Sequence, residues 1–169
     1  MNTQVTAHHE AGHAVAVLMR NGGQLHYVDI NASDEWLGYT HYASKPPDRA
    51  FITFAGPWAE ARTQWPLTDL DGVDGNGSTF DDYVGAAFLA NIDGDAELYR
   101  DLYNAEHPEL RRFRPRLEQF WSRTELEKVW PVIQKVAQLL LSEGADMYYA
   151  PDHQTWHDTI EQLLAARGA

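Results

Sequence analysis

The stretch His9-Glu10-Ala11-Gly12-His13 constrains this chain more than any other. It lies in a pattern that predicts a helix over about residues 6–20, with Thr6 as its cap and Asn21-Gly22-Gly23 as its stop. Positions four apart on a helix share a face, so both imidazoles can reach one metal ion. Glu10, one residue after His9, can reach a water on that metal and take its proton. Zinc suits neutral imidazole, lowers the pKa of such a water toward neutrality and polarises a scissile carbonyl. With 8 His in 169 residues, the bare motif arises by chance in roughly 2% of chains of this composition. The competing reading is a helix whose histidines pack against nearby carboxylates. His8, about a third of a turn from His9, reads as a partner behind the site or a surface residue.

Composition narrows the metal chemistry. There is no cysteine, which excludes a disulfide framework, a thiolate nucleophile, Cys-ligated zinc and iron–sulfur clusters. Any metal must be held by His, Asp or Glu. A catalytic zinc site takes three protein ligands and keeps one position for water. Glu60, Asp81 and Asp82 are the candidate third ligands, and spacing alone does not choose among them. The net charge of −12 argues against a nucleic-acid backbone binder, which needs clustered Lys and Arg. A hydrophobic content of 44% is too high for a disordered chain. The N-terminus lacks the basic and apolar regions of a secretory signal, and no apolar run approaches the ~20 residues of a membrane helix. The expectation is a soluble, cytoplasmic protein.

The remaining pattern predicts an α+β fold, a mostly helical single domain over residues 1–169 with a small β-hairpin packed near the motif helix. Strands are expected at about 25–30 and 36–43, joined by a turn at Asn31-Ala32-Ser33-Asp34. A helix follows over about 48–64, then a loop rich in Asp and Gly over 66–78 and a helix over 79–91. Residues 95–105, 108–123, 124–142 and 152–166 all read as helices. Thr124-Glu125-Leu126-Glu127 fits a capping box, and Pro131 predicts a kink or a split.

Several blocks resemble the peptidase domain of the FtsH-type ATP-dependent zinc metalloproteases. His9-Glu10-Ala11-Gly12-His13-Ala14 is similar to that family's H-E-A-G-H-A, and Leu37-Gly38-Tyr39-Thr40 to its L-G-[YVF]-T edge strand. Phe54-Ala55-Gly56-Pro57-Trp58-Ala59-Glu60-Ala61 is similar to L-G-G-R-A-A-E-E, with Pro57 and Ala61 as departures. Ser78-Thr79-Phe80-Asp81-Asp82 is similar to G-A-S-N-D, and the order of the blocks is the same over about residues 6–90. The resemblance implies zinc as cofactor, held by His9, His13 and Asp82, with Glu10 as general base. Asp81 is the alternative ligand, and Glu60 is a carboxylate that orients the zinc histidines. Leu37, Gly38, Tyr39 and Thr40 correspond to the edge on which an extended substrate adds as a strand. No G-x-x-x-x-G-K-[ST] occurs, so the family's ATPase is missing from these residues.

Other features weigh less. The acidic segment from Asp69 to Glu97 fails the calcium-loop pattern at every start and reads as a solvated acidic loop. Arg111, Arg112, Arg114 and Arg116 read as a helix face with ion pairs rather than a nucleic-acid patch. Trp121, Trp130 and Trp156 read as core or interface, and His153 with His157 as an exposed helix face.

The expected activity is that of an ATP-independent zinc metalloendopeptidase acting on a peptide or unfolded protein. The expectation includes no nucleic acid and no membrane, and leaves room for a separate ATPase partner and a homo-oligomer. Two alternatives stand beside it: a non-catalytic, metal-retaining binding or assembly protein derived from the peptidase fold, and a zinc hydrolase of non-peptide amides. An intact Glu10 disfavours the first of these.

Overall fold

The first helix, α1 (Thr3–Leu18), is buried on every side rather than along one stripe, from Thr6 through Val17. In the computed structural model, which describes residues 3–20, 22–30, 38–90, 92–106, 113–143 and 153–168, this helix touches nearly every other layer. It begins a turn before the expected cap, and Thr6 lies buried within it. The chain leaves α1 through Gly22, whose φ of +92° favours glycine. Gly23 follows, where a Cβ would sit 2.1 Å from the Val17 carbonyl oxygen.

Strands β1 (Gln24–Asp29) and β2 (Tyr39–Ala43) form a two-stranded antiparallel sheet. Leu25 pairs with Tyr42, Tyr27 with His41 and Val28 with Thr40, with a bulge between Leu25 and Tyr27. Inward residues Leu25, Val28 and Thr40 are buried, while Tyr39 and His41 on β2 are exposed. The expected turn at Asn31-Ala32-Ser33-Asp34 and the residue Leu37 lie outside the described residues.

Helix α2 (Pro46–Gln64) starts with two prolines in its first turn, where their missing N–H groups cost no helical bond. It continues through Pro57, and its buried run from Ala50 to Ala61 packs on α1, α3 and α4. The contact with α1 is intimate because both helices present small residues. A Cβ on Gly12 would lie 2.4 Å from the Ala55 carbonyl oxygen and 2.8 Å from the Ala59 Cβ. The loop after α2 is organised by Asp74, which accepts hydrogen bonds from the Asn76 and Ser78 N–H groups and the Tyr83 hydroxyl, each at 2.8 Å. Its carboxylate is thus committed to its own loop.

Helix α3 (Phe80–Ala90) leads through a kinked turn, Ile92–Ala96, into α4 (Glu97–Glu106). The kink falls at Gly94, with φ −118° and ψ −107°. Helix α5 (Arg114–Phe120) passes through a widened stretch, Trp121–Leu126, into α6 (Glu127–Glu143). In that stretch the Glu127 N–H bonds the Ser122 carbonyl, a π-type step. Helical backbone therefore runs through Thr124, where a new helix start was expected. Glu125 and Glu127 serve tertiary ion pairs: Arg20 donates to both Glu125 oxygens at 2.6 and 3.1 Å, and Arg62 to both Glu127 oxygens at 3.1 and 3.2 Å. α6 also continues through the exposed Pro131 without splitting. Helix α7 (His153–Gly168) packs on β1, α1 and α6.

One hydrophobic cluster links all these layers, from Ala11 and Val15 through Phe54 and Trp58 to Ile133 and Ile160. Trp121 is in it, and Trp130 and Trp156 pack against it half-buried. Arg114 is drawn over the Tyr99 ring at 4.7 Å and pairs with Glu118 at 2.7 Å, while Arg111 and Arg112 of the expected face lie outside the described residues. No helix among the described residues is long and apolar enough to cross a membrane.

The α1–α2 contact predicts that Gly12→Ala destabilises the protein by about 1–3 kcal/mol, because the added methyl must wedge the helices apart. Urea unfolding of the two forms checks this, and an unchanged midpoint would refute the close approach.

Candidate metal centre

Three elements bring the site together. α1 contributes His9, Glu10 and His13; α2 contributes Glu60 and the Ile52 carbonyl; the kinked turn contributes Asp95. The α1 residues are all buried, with His9 and Glu10 at 5% exposure and His13 at 7%. Buried polar atoms must find partners, and here the partners orient the rings.

His13 Nδ1 lies 2.8 Å from the Ile52 carbonyl oxygen. A carbonyl only accepts, so that nitrogen carries the proton. His9 Nδ1 lies 3.0 Å from Glu60 Oε2, and the carboxylate likewise accepts. With both Nδ1 atoms protonated, each neutral imidazole carries its lone pair on Nε2. Those two Nε2 atoms face each other at 3.1 Å. Asp95 Oδ2 completes the group, 2.8 Å from His9 Nε2 and 3.5 Å from His13 Nε2. Three lone-pair donors this close repel one another unless a cation lies among them.

That cation is either a proton or a metal ion. Two nitrogens on one tetrahedral zinc, each at 2.0–2.1 Å from it, lie about 3.3–3.4 Å apart. The observed nitrogen–nitrogen separation of 3.1 Å is close to that value, and a His-His-carboxylate set is one that catalytic zinc uses. His9, His13 and Asp95 are the one group of this kind among the described residues. Gly56 shapes the pocket: a Cβ there would lie 2.2 Å from His13 Nε2, so a glycine is needed for the ring to point inward.

The same geometry sets the electrostatics. Burial alone lowers the His9 pKa, but the hydrogen bonds to Asp95 and Glu60, with the charges of Asp95 and Glu10, outweigh it and raise it to about 10. Burial also lowers that of His13, and Asp95 turns the net shift upward. Burial raises the Glu10 pKa, and His9, His13 and the Thr40 hydroxyl oppose it only in part. Burial would raise Asp95 as well, yet His13 and His9 hold it well below the usual carboxylate range.

The expected residues divide clearly. His9, Glu10, His13 and Glu60 come together as the motif and its resemblance imply. Thr40, expected on the substrate edge, touches the site itself: its Oγ1 donates to Glu10 Oε2 at 2.6 Å. Asp82 is elsewhere. Its Oδ2 accepts from the N–H and hydroxyl of Thr79 at 2.8 and 2.7 Å, while its own N–H reaches Thr79 Oγ1 at 3.3 Å. That reciprocal pair is a capping box at the start of α3, and the same bonds lower the Asp82 pKa. Asp81 is exposed, with Arg123 at 3.9 Å.

Asp95 did not emerge from the sequence as a ligand. It lies inside the acidic Asp69–Glu97 segment, and the sequence Asp93-Gly94-Asp95 signals a turn. Only the kink at Gly94 aims it at the histidines. Comparison of the chain with protein-family models, curated proteins and solved structures finds no match.

The pKa shifts predict how the metal-free protein responds to pH. The His9 pKa is raised from 6.5 to about 10, so its contribution to stability is full below pH 6.5 and is lost as pH rises toward 10. The Asp95 pKa is lowered, so its contribution is present above 3.8 and is lost on acidification. Urea midpoints measured across this range should fall on both flanks, and Asp95→Asn should flatten the alkaline one.

Proposed function

We propose that this chain is a zinc-dependent metallopeptidase, related in mechanism to the FtsH-type peptidase domain that its motifs resemble. The observation that carries the proposal is the convergence of two lone-pair imidazole nitrogens and the Asp95 carboxylate within 2.8–3.5 Å, with Glu10 beside them. On this reading His9, His13 and Asp95 hold the ion, and Glu60 and the Ile52 carbonyl keep the rings in the ligating tautomer. Zinc bound there supplies Lewis acidity, which polarises a carbonyl and makes water a usable nucleophile near neutral pH.

The chain's own groups do the rest. Glu10 accepts a proton from the attacking water and returns it to the leaving nitrogen. The inner side of the pocket is closed by α1 and α2, which keeps bulk water from the histidines. Strand β2, with exposed Tyr39 and His41 alternating with buried Thr40, offers an edge beside Glu10 on which an extended peptide can pair.

Metal analysis of the purified protein and hydrolysis of casein, for wild type and Glu10→Gln, test the proposal. Stoichiometric zinc in both, with cleavage reduced about 10²–10⁴-fold by Glu10→Gln, is the expected result. Asp95→Asn should weaken zinc binding by more than the about 10–100-fold that partners one step removed from a metal contribute. Asp82→Asn should leave it unchanged, since that carboxylate caps α3. Failure to bind zinc overturns the proposal; zinc without cleavage supports the non-catalytic alternative.

A further inference from the structure

We infer that strand β2 positions the base as well as bordering the site, with Thr40 as the residue that holds Glu10 in line. The inference rests on the peptidase reading above and extends it to a residue outside the metal-binding motif. Side chains on a strand alternate between faces, so Gly38 and Thr40 both turn toward α1 while Tyr39 and His41 turn outward.

Thr40 holds one oxygen of the Glu10 carboxylate, and Gly38, just before β2, leaves room for the other. Thr40 Oγ1 lies 2.6 Å from Glu10 Oε2 and 3.3 Å from the Glu10 carbonyl oxygen. A hydroxyl has a single proton, and the shorter, charge-assisted contact takes it. At Gly38 a Cβ would lie 2.6 Å from Oε1 and 2.9 Å from Cγ of the same glutamate. Glycine there leaves the space in which Oε1 sits. Glu10 has χ angles that its helix does not restrict to one orientation, and the Thr40 hydroxyl donates a hydrogen bond to its carboxylate. The hydroxyl of Thr40 therefore selects the rotamer in which Oε2 is held and Oε1 remains available for proton transfer. Because Thr40 belongs to the strand that would border the substrate, its hydrogen bond ties the base on α1 to that edge.

Thr40 is thus a positioning residue, and its loss should act on kcat. In zinc-loaded protein, Thr40→Val keeps the side-chain shape and removes the donor. It should lower kcat on casein-derived peptides about 10–100-fold, the scale of a misoriented catalytic group. KM should change little and zinc content should match wild type, while the thermal midpoint falls only by what one lost buried hydrogen bond costs. Thr40→Ser, which restores the hydroxyl, should recover most of the loss. An unchanged kcat for Thr40→Val in a wild-type background that shows Glu10-dependent cleavage overturns this inference and leaves the peptidase reading intact. Loss of zinc or of the folded state alongside kcat in a soluble Thr40→Val protein likewise overturns it, because the residue then acts on the scaffold. Should Thr40→Val not yield soluble protein, Gly38→Ala carries the test. Its methyl displaces the same carboxylate and should lower kcat with zinc retained, and an unchanged kcat overturns the inference. A wild type without Glu10-dependent cleavage fails the peptidase reading, and this inference with it.

Discussion

The structure depends on burying a helix that is polar at its centre. Helix α1 carries three histidines and a glutamate into the core, and each is less than a tenth exposed. A buried polar group without a partner costs several kcal/mol by transfer measures, so the neighbouring elements are arranged around these four side chains. α2 supplies Glu60 and the Ile52 carbonyl, β2 supplies Thr40, and the Gly94 kink supplies Asp95. His8 bonds the Gln4 carbonyl at 2.8 Å within α1 and packs against Trp130, which makes it a packing residue. Small residues make this possible: Gly12 and Ala55 let α1 and α2 approach, and Gly56 leaves room for the His13 ring.

This arrangement places three carboxylates, Glu10, Glu60 and Asp95, around two imidazoles in a region of low exposure. If both rings were neutral and all three acids ionised, the pocket would hold uncompensated negative charge, which burial penalises heavily. The system therefore favours a cation. Without metal the imidazoles take up that role, and the raised pKa values of His9 and His13 express it. On the proposed reading a zinc ion replaces the protons, which couples metal binding to proton release.

Peripheral ion pairs hold the frame around this centre. Arg20 joins α1 to the π-type stretch through Glu125, Arg62 joins α2 to the start of α6 through Glu127, and Arg123 joins that stretch to the acidic loop through Asp71. Trp58, fully buried, donates its indole N–H to Ser122 in the same stretch at 2.7 Å. The widened turn at Trp121–Leu126 thus sits where three separate side-chain contacts converge, and the local capping pattern at Thr124 yields to them. The sequence signal at Thr124 is sound as a local preference, but Arg62 claims the Glu127 carboxylate it needs.

Periodicity and turn residues were enough to read most helices, the hairpin strands and the α+β class, because those depend on contacts a few residues apart. The His9-Glu10-His13 set was legible for the same reason: helical geometry alone puts its ligands on one face. The third donor was not. Asp82 is the position that the family resemblance implies and serves as a local cap, whereas Asp95 lies 82 residues from His13 and reaches it through a glycine kink that no periodicity encodes. The hydrogen bond from Thr40 to Glu10 spans 30 residues and was equally invisible. The sequence by itself determined which helix carries two imidazoles on one face with Glu10 beside them. Tertiary structure alone decided which carboxylate closes the group, because that depends on where distant backbone segments meet, and local sequence does not specify such distances.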